Sequence, residues 1–230
     1  DGKRIIFASD RGPLAGIFNL WSQSADDDTQ PAERLTMNDS NQQFAESMSP
    51  EGAEVFFREF LPDTGRRLMR KSLRGSESAT PVFLTPAKVR AGAVSPDGRW
   101  IAFESDSSGV FEVNVRSLAP GGVQSPVSAG GGTRPVWSPS GKELFFVAPD
   151  GALMKVDVAP ASEWTSSTPT KVVGTGYFGG TATGRFEGRH YDVSADGRFL
   201  MVKPQGDAPP PSVFVVEHFA SELKARAPSK

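Results

Sequence analysis

The sequence predicts an all-β protein, a β-propeller of about five four-stranded antiparallel blades with the first blade incomplete and a short C-terminal helix. Three observations lead there: a turn tetrapeptide that recurs through the chain, an apolar strand-like run directly after each copy, and a second strand-like run after a turn-prone gap. The turn reads Ser49-Pro50-Glu51-Gly52, Ser95-Pro96-Asp97-Gly98, Ser138-Pro139-Ser140-Gly141 and Ser194-Ala195-Asp196-Gly197, and Asp1-Gly2 matches the tail of a fifth copy. Counted between glycines 2, 52, 98, 141 and 197, the spacing is close to the period of propeller blades.

The turn chemistry explains the residue choice. Proline presets one dihedral, aspartate bonds back to the local backbone, and glycine accepts positive φ, so two strands can reverse tightly. The runs that follow are KRIIFA from Lys3 to Ala8, AEVFFR from Ala53 to Arg58, RWIAFE from Arg99 to Glu104, KELFFV from Lys142 to Val147 and RFLMV from Arg198 to Val202. Aromatic and β-branched residues on both parities suit strands covered on both faces by neighbouring blades. Second strands are expected at Phe18–Trp21, Val110–Val115, Leu153–Val158 and Ser212–Val216. Short closing strands are expected at Glu33–Thr36, Val82–Thr85, Gln124–Val127 and Lys171–Val173. These place blades at about 1–36, 37–86, 87–132, 133–181 and 182–218, with a tail and helix over 219–230. Phe219 and Leu223 sit four apart, one face of a helix.

Val136-Trp137-Ser138-Pro139 and the segment SPDGRWIAF from Ser95 to Phe103 resemble the TolB-type, WD40-like propeller repeat. The resemblance covers nearly the whole chain and implies a protein that works largely through contacts with other proteins. The C-terminal part is similar to the last blade of bacterial propellers fused to kinase or regulatory domains, but no kinase motif is present to carry over. The first blade departs from the repeat because no inner strand precedes Asp1. Five repeats imply a fragment, a small closed propeller or a half that pairs with another copy. Exposed blade edges recruit other chains, so a homodimer is expected.

Composition removes several function classes. A formal net charge of -2 gives no global basic field for nucleic acid or an anionic membrane. Cysteine is absent, which excludes disulfides, thiolate metal sites and a cysteine nucleophile, and fits a periplasmic or extracytoplasmic bacterial protein. No apolar stretch approaches the roughly 20 residues of a membrane helix, so no membrane insertion is expected. The G-x-S-x-G elbow of serine hydrolases is missing. Gly174 to Gly179 matches G-x-G-x-x-G, but without a β-α-β unit around it the segment reads as a loop.

Inner strands line the channel of a propeller, so residues just before each turn are the natural candidates for a site. Glu46, Arg90, Arg134, Arg189, His190 and Asp192 fall there. Strand alternation can put His190 and Asp192 on one face, so with Glu46 they are the candidates for catalysis and for metal binding. Arg90, Arg134 and Arg189 are the candidates for ligand binding. No cofactor is expected; the alternative is a divalent metal ion held by oxygen ligands. With only two histidines, a three-histidine zinc site in one chain is impossible. The basic run Arg66, Arg67, Arg70, Lys71 and Arg74 reads as a solvated hairpin, Asp26 to Asp28 as a polar turn, and Asn38-Asp39-Ser40 as a formal glycosylation sequon. The expected function is a non-enzymatic scaffold or sensor binding a protein or small-molecule ligand. The alternative is a metal-dependent hydrolase of esters, lactones or phosphoesters sited in the channel.

Overall fold

A computed structural model describes residues 2–27, 29–62, 65–159, 163–177 and 188–203. The expected strand at 212–216, the helix over 219–230, His218 and the stretch from Gly179 to Gly184 lie outside them. Among the described residues there are strands and no helix. The strands form five antiparallel sheets in chain order. They are β1 (Arg4–Ser9), β2 (Asn19–Ser24) and β3 (Glu33–Arg34); β4 (Gln43–Met48), β5 (Glu54–Leu61), β6 (Gly65–Ser72) and β7 (Thr80–Pro81); β8 (Val89–Val94), β9 (Trp100–Ser105), β10 (Glu112–Ser117) and β11 (Gln124–Pro126); β12 (Thr133–Trp137), β13 (Glu143–Val147), β14 (Leu153–Asp157) and β15 (Thr170–Val173); and β16 (Tyr191–Val193) with β17 (Phe199–Met201). Each sheet is an unbroken meander, the order local hairpins give.

The repeated turn has one geometry in four places. The glycine N–H donates to the serine carbonyl three residues back at 2.8 to 2.9 Å in all four copies, and Gly52, Gly98, Gly141 and Gly197 have φ of 68, 71, 70 and 81°. Only glycine takes that conformation without steric cost. The serine hydroxyl closes the turn from inside: Ser95 Oγ accepts from Trp100 N at 3.0 Å and Ser138 Oγ from Glu143 N at 3.1 Å. Gly98 lies against Pro50, and Gly141 against Pro96, so the turns of successive blades stack at one end of the array.

The core lies between sheets. On β9, Ile101 and Phe103 join Phe56, Leu68 and Val89 on the side of the second sheet, while Trp100 and Ala102 face the fourth with Trp137, Leu144 and Phe146. On β13, Phe145 and Val147 turn the other way, to Tyr191 and Val193. Alternation at period two thus gives β5, β9 and β13 two buried faces, as their apolar runs predict, whereas in β1 and β17, for which the same was expected, Ile5 and Leu200 are exposed. Trp137 Nε1 also crosses a seam to the Ala93 carbonyl at 2.9 Å.

Two local expectations shift. The basic run lies on a hairpin as expected, the β5–β6 pair, but it is only partly solvated, because Leu68 and Met69 of β6 are buried between its charged residues. Arg66 stacks on Phe60, and Arg67 pairs with the buried Glu59. Glu59 also accepts from the side-chain amides of Asn38 and Gln43, which gives the asparagine of the sequon a structural partner. The closing strand of the second sheet is Thr80–Pro81 rather than Val82–Thr85: Val82 still donates its N–H to the Leu68 carbonyl at 3.0 Å, but the side chains of Val82 and Phe83 pack onto the neighbouring core.

Candidate functional site

The inner strands β4, β8 and β12, with β1 and the segment before β16, surround a cavity of about 630 Å3. Each of the three inner strands breaks register at its cavity end: between Ala45 and Ser47, between Arg90 and Ala93, and between Thr133 and Val136. Such a bulge takes backbone groups out of the ladder and bends the strand. Ala91 and Arg134 occupy equivalent bulge positions with φ of 55 and 56°, a conformation that side chains other than glycine seldom adopt.

Two carboxylates satisfy those bulges across the blade seams. Glu46 of β4 accepts from Ala91 N at 2.8 Å and from Gly92 N at 2.6 Å, and Arg58 stands 3.6 Å from it. Glu104 of β9 accepts from Arg134 N at 2.7 Å and from Arg90 Nε at 2.5 Å, and the Arg90 guanidinium lies 3.9 Å from the centre of the Phe111 ring. Burial pushes the Glu46 carboxyl above its ordinary value, assisted by Glu104 and opposed by Arg58 and the two backbone N–H groups. One seam further on, the Tyr191 hydroxyl donates to the Arg134 carbonyl at 2.7 Å. Burial raises that phenol well above its usual value, with Arg189 and Arg134 pulling the other way.

The sequence candidates divide. Glu46, Arg90, Arg134 and Arg189 line the cavity, whereas His190 and Asp192 are not among its walls. His190 precedes β16. Within that strand the inward positions go to Tyr191 and Val193, so Asp192 points outward and pairs with Arg189 at 3.3 Å on the surface. Among the described residues no cluster of three or more His, Cys, Asp or Glu side chains is placed to hold a metal ion. Among the described residues the wall carries no serine, cysteine or histidine. Sequence reasoning missed Glu104, Arg58 and Tyr191. The signal for Arg58 was a charged pair, Arg58-Glu59, inside the apolar run VFFREF.

No protein-family profile and no curated protein matches the sequence. Solved structures do match the coordinates. A TolB structure from Agrobacterium tumefaciens superposes with a TM-score of 0.60 at 17% identity, covering 72% of this chain and 61% of that one. TolB from Acinetobacter baumannii gives 0.55 at 18% identity, covering 74% and 44%. The fold is a TolB-like β-propeller. A puromycin-hydrolyzing peptidase from Mycobacterium tuberculosis shares the fold at a TM-score of 0.59 and 16% identity, covering 86% of this propeller and 35% of that chain. The propeller thus spans less than two thirds of each of these relatives, and at such identities the likeness is one of fold.

Proposed function

We propose that this propeller is a non-enzymatic ligand- or protein-binding scaffold whose binding site is the inner cavity. One observation carries the reading: both buried carboxylates of the cavity, Glu46 and Glu104, accept backbone N–H groups of the next blade. A carboxylate has about four lone-pair sites, and each of these two already directs two of them to donors of the scaffold, which leaves less of it for acid/base or metal chemistry. The cavity volume of about 630 Å3 falls within the range of small-molecule sites. A protein could equally insert a side chain there, in keeping with the TolB-like fold. We place the protein outside the cytoplasm, in the periplasm of a bacterium, a setting its lack of cysteine fits. We also propose that two copies pair through blade edges; a monomer by light scattering would remove that part.

The test is ligand-observed NMR against a panel of small molecules and short peptides, with Ala148→Trp, a substitution in the cavity wall, as a plug. Binding that the plug abolishes is expected; binding indifferent to the plug overturns the reading. Elemental analysis and assays on activated esters, lactones and phosphoesters run alongside. Stoichiometric metal with chelator-sensitive turnover would replace the scaffold by a metal-dependent hydrolase.

A further inference from the structure

The turn ahead of β17 shares its inner hydrogen bond with the other copies, yet its hairpin closes one residue sooner. In the second, third and fourth sheets the residue before the turn serine faces the residue six places beyond that serine: Met48 with Val55, Val94 with Ile101, Trp137 with Leu144. The serine N–H there donates to a carbonyl five places on, that of Glu54, Trp100 or Glu143, at 2.9 Å. In the fifth sheet Val193 faces Phe199, five beyond Ser194, and Ser194 N donates to the Arg198 carbonyl, four on, at 2.9 Å. Ser-Pro-Asp-Gly-Arg from Ser95 and Ser-Ala-Asp-Gly-Arg from Ser194 differ by one letter and feed two different ladders.

A one-residue shift in an antiparallel ladder sends every side chain of the strand to the other face. β16 keeps the common orientation: Val193 turns toward the fourth sheet as Trp137 turns toward the third. β17 alone is reversed. Leu200 and Val202 stand three and five places after the turn glycine, where Ile101 with Phe103, and Leu144 with Phe146, are buried against the preceding sheet; they are 77% and 54% exposed. Phe199 and Met201 pack on the fourth sheet instead, with the Phe199 ring edge-on to Phe145 at 5.0 Å.

A slip is ordinarily resisted because it carries a strand's apolar set into solvent. Here it exchanges one apolar pair for another, since Phe199, Leu200, Met201 and Val202 are apolar on both parities. On β9 and β13 a second covered face fixes which parity goes where, whereas among the described residues no sheet follows the fifth. Local and tertiary preferences therefore conflict: the turn letters favour the ladder that follows Ser95, and the contact of Phe199 with Phe145 favours the one seen.

We propose that the β16–β17 hairpin is a two-register switch. In the register seen, Phe199 and Met201 lie on the fourth sheet and Leu200 and Val202 face outward. In the second, the ladder of the other blades, Val193 faces Leu200 and Tyr191 faces Val202, so Phe199 and Met201 form the outer face. The slip moves β17 by one residue, about 3.3 Å, while β16 keeps its place and Tyr191 keeps its bond to the Arg134 carbonyl. The hairpin thus changes its outward face without opening the cavity wall, and a chain that covers that face biases it toward the register whose side chains it fits.

NMR on the full chain with labelled methyl groups tests the switch. The major form should show Val193 against Phe199 and Tyr191 against Met201, and relaxation dispersion at the Leu200, Met201 and Val202 methyls should report a second form at about 1–10% of molecules. Phe199→Lys should move the population to the second register, read as new contacts of Val193 with Leu200 and of Tyr191 with Val202. Leu200→Lys, at a site exposed in the register seen, should abolish the exchange by holding that register. One glycine inserted between Gly197 and Arg198 gives the turn length of the other blades with Phe199 still inward, and should abolish it too. Methyls without exchange in the unmodified chain, exchange that survives Leu200→Lys or the insertion, or a Phe199→Lys chain without the new contacts overturns the proposal.

Discussion

Removing the Glu104 carboxylate tests whether the blade seams are held by buried charge. Its side chain is 3% exposed and that of Arg90 18%, so Glu104→Ala strands a largely buried guanidinium and leaves the Arg134 N–H without its acceptor. Breaking a buried pair by deleting one partner costs about 3–5 kcal/mol. Arg90 retains some solvent and the face of Phe111, which favours the lower half of that range, about 3–4 kcal/mol. For a domain of this size that is a fall in Tm of about 10 °C, read by circular dichroism during heating and by urea titration. Arg90→Met alone should cost a similar amount, because it leaves the carboxylate buried. The double variant carries neither orphan charge, so its loss should be close to that of either single variant, a coupling of about 3–4 kcal/mol. A loss under about 1 kcal/mol for Glu104→Ala, or a double variant equal to the sum, would refute the clasp.

Glu46 gives a pH signature. Its carboxyl is raised above 4.5 in the fold, so the folded state holds a proton that the unfolded chain releases, and this contribution to stability is lost as pH rises from 4.5 through the raised value. Glu46→Gln should lack that decline, and parallel urea midpoints for the two proteins across pH would contradict it. Asp27, Asp97, Asp150 and Asp196 are lowered below 3.8; their stabilisation is present above that value and is lost only at lower pH, in a separate window. Gly92→Ala would place a Cβ 2.7 Å from Leu68 Cδ1 and 3.1 Å from Glu46 Oε2, and should cost about 1–3 kcal/mol by overpacking in the same unfolding assay. Ser95→Ala removes the acceptor for Trp100 N and should cost about 1 kcal/mol, while Thr85→Ala, at an exposed loop hydroxyl bonded only to the local Ala87 N–H, should be near neutral.

Local patterns were legible wherever one residue type has one backbone use. The Ser-Pro-Asp-Gly copies announced turns because positive φ at the fourth position selects glycine, and the structure has that φ in Gly52, Gly98, Gly141 and Gly197. RWIAFE and KELFFV announced central strands because both parities are apolar, and both faces are buried. Hairpin order followed, since adjacent runs joined by short turns pair with each other. The closing strand at Thr80–Pro81 was misplaced because a two-residue strand carries almost no pattern, and Val82 and Phe83 look the same whether they pair or pack.

The site was half legible. Position before the turn brought Glu46, Arg90, Arg134 and Arg189 to the cavity, because every inner strand enters it from the same end of its blade. It also suggested His190 and Asp192, and there parity decided: Tyr191 takes the inward place and Asp192 the outward one. Thus the sequence by itself determined the repeat, the turns, the paired faces of the central strands and the arginine-rich inner rim, all of which depend on contacts within a few residues. Only the tertiary structure decided what the acids do. Glu46 and Ala91 are 45 residues apart, and Glu104 and Arg134 are 30 apart. No local pattern links residues so distant; they meet because neighbouring blades bring one strand's carboxylate to the next strand's bulge, where burial makes an unmet N–H costly.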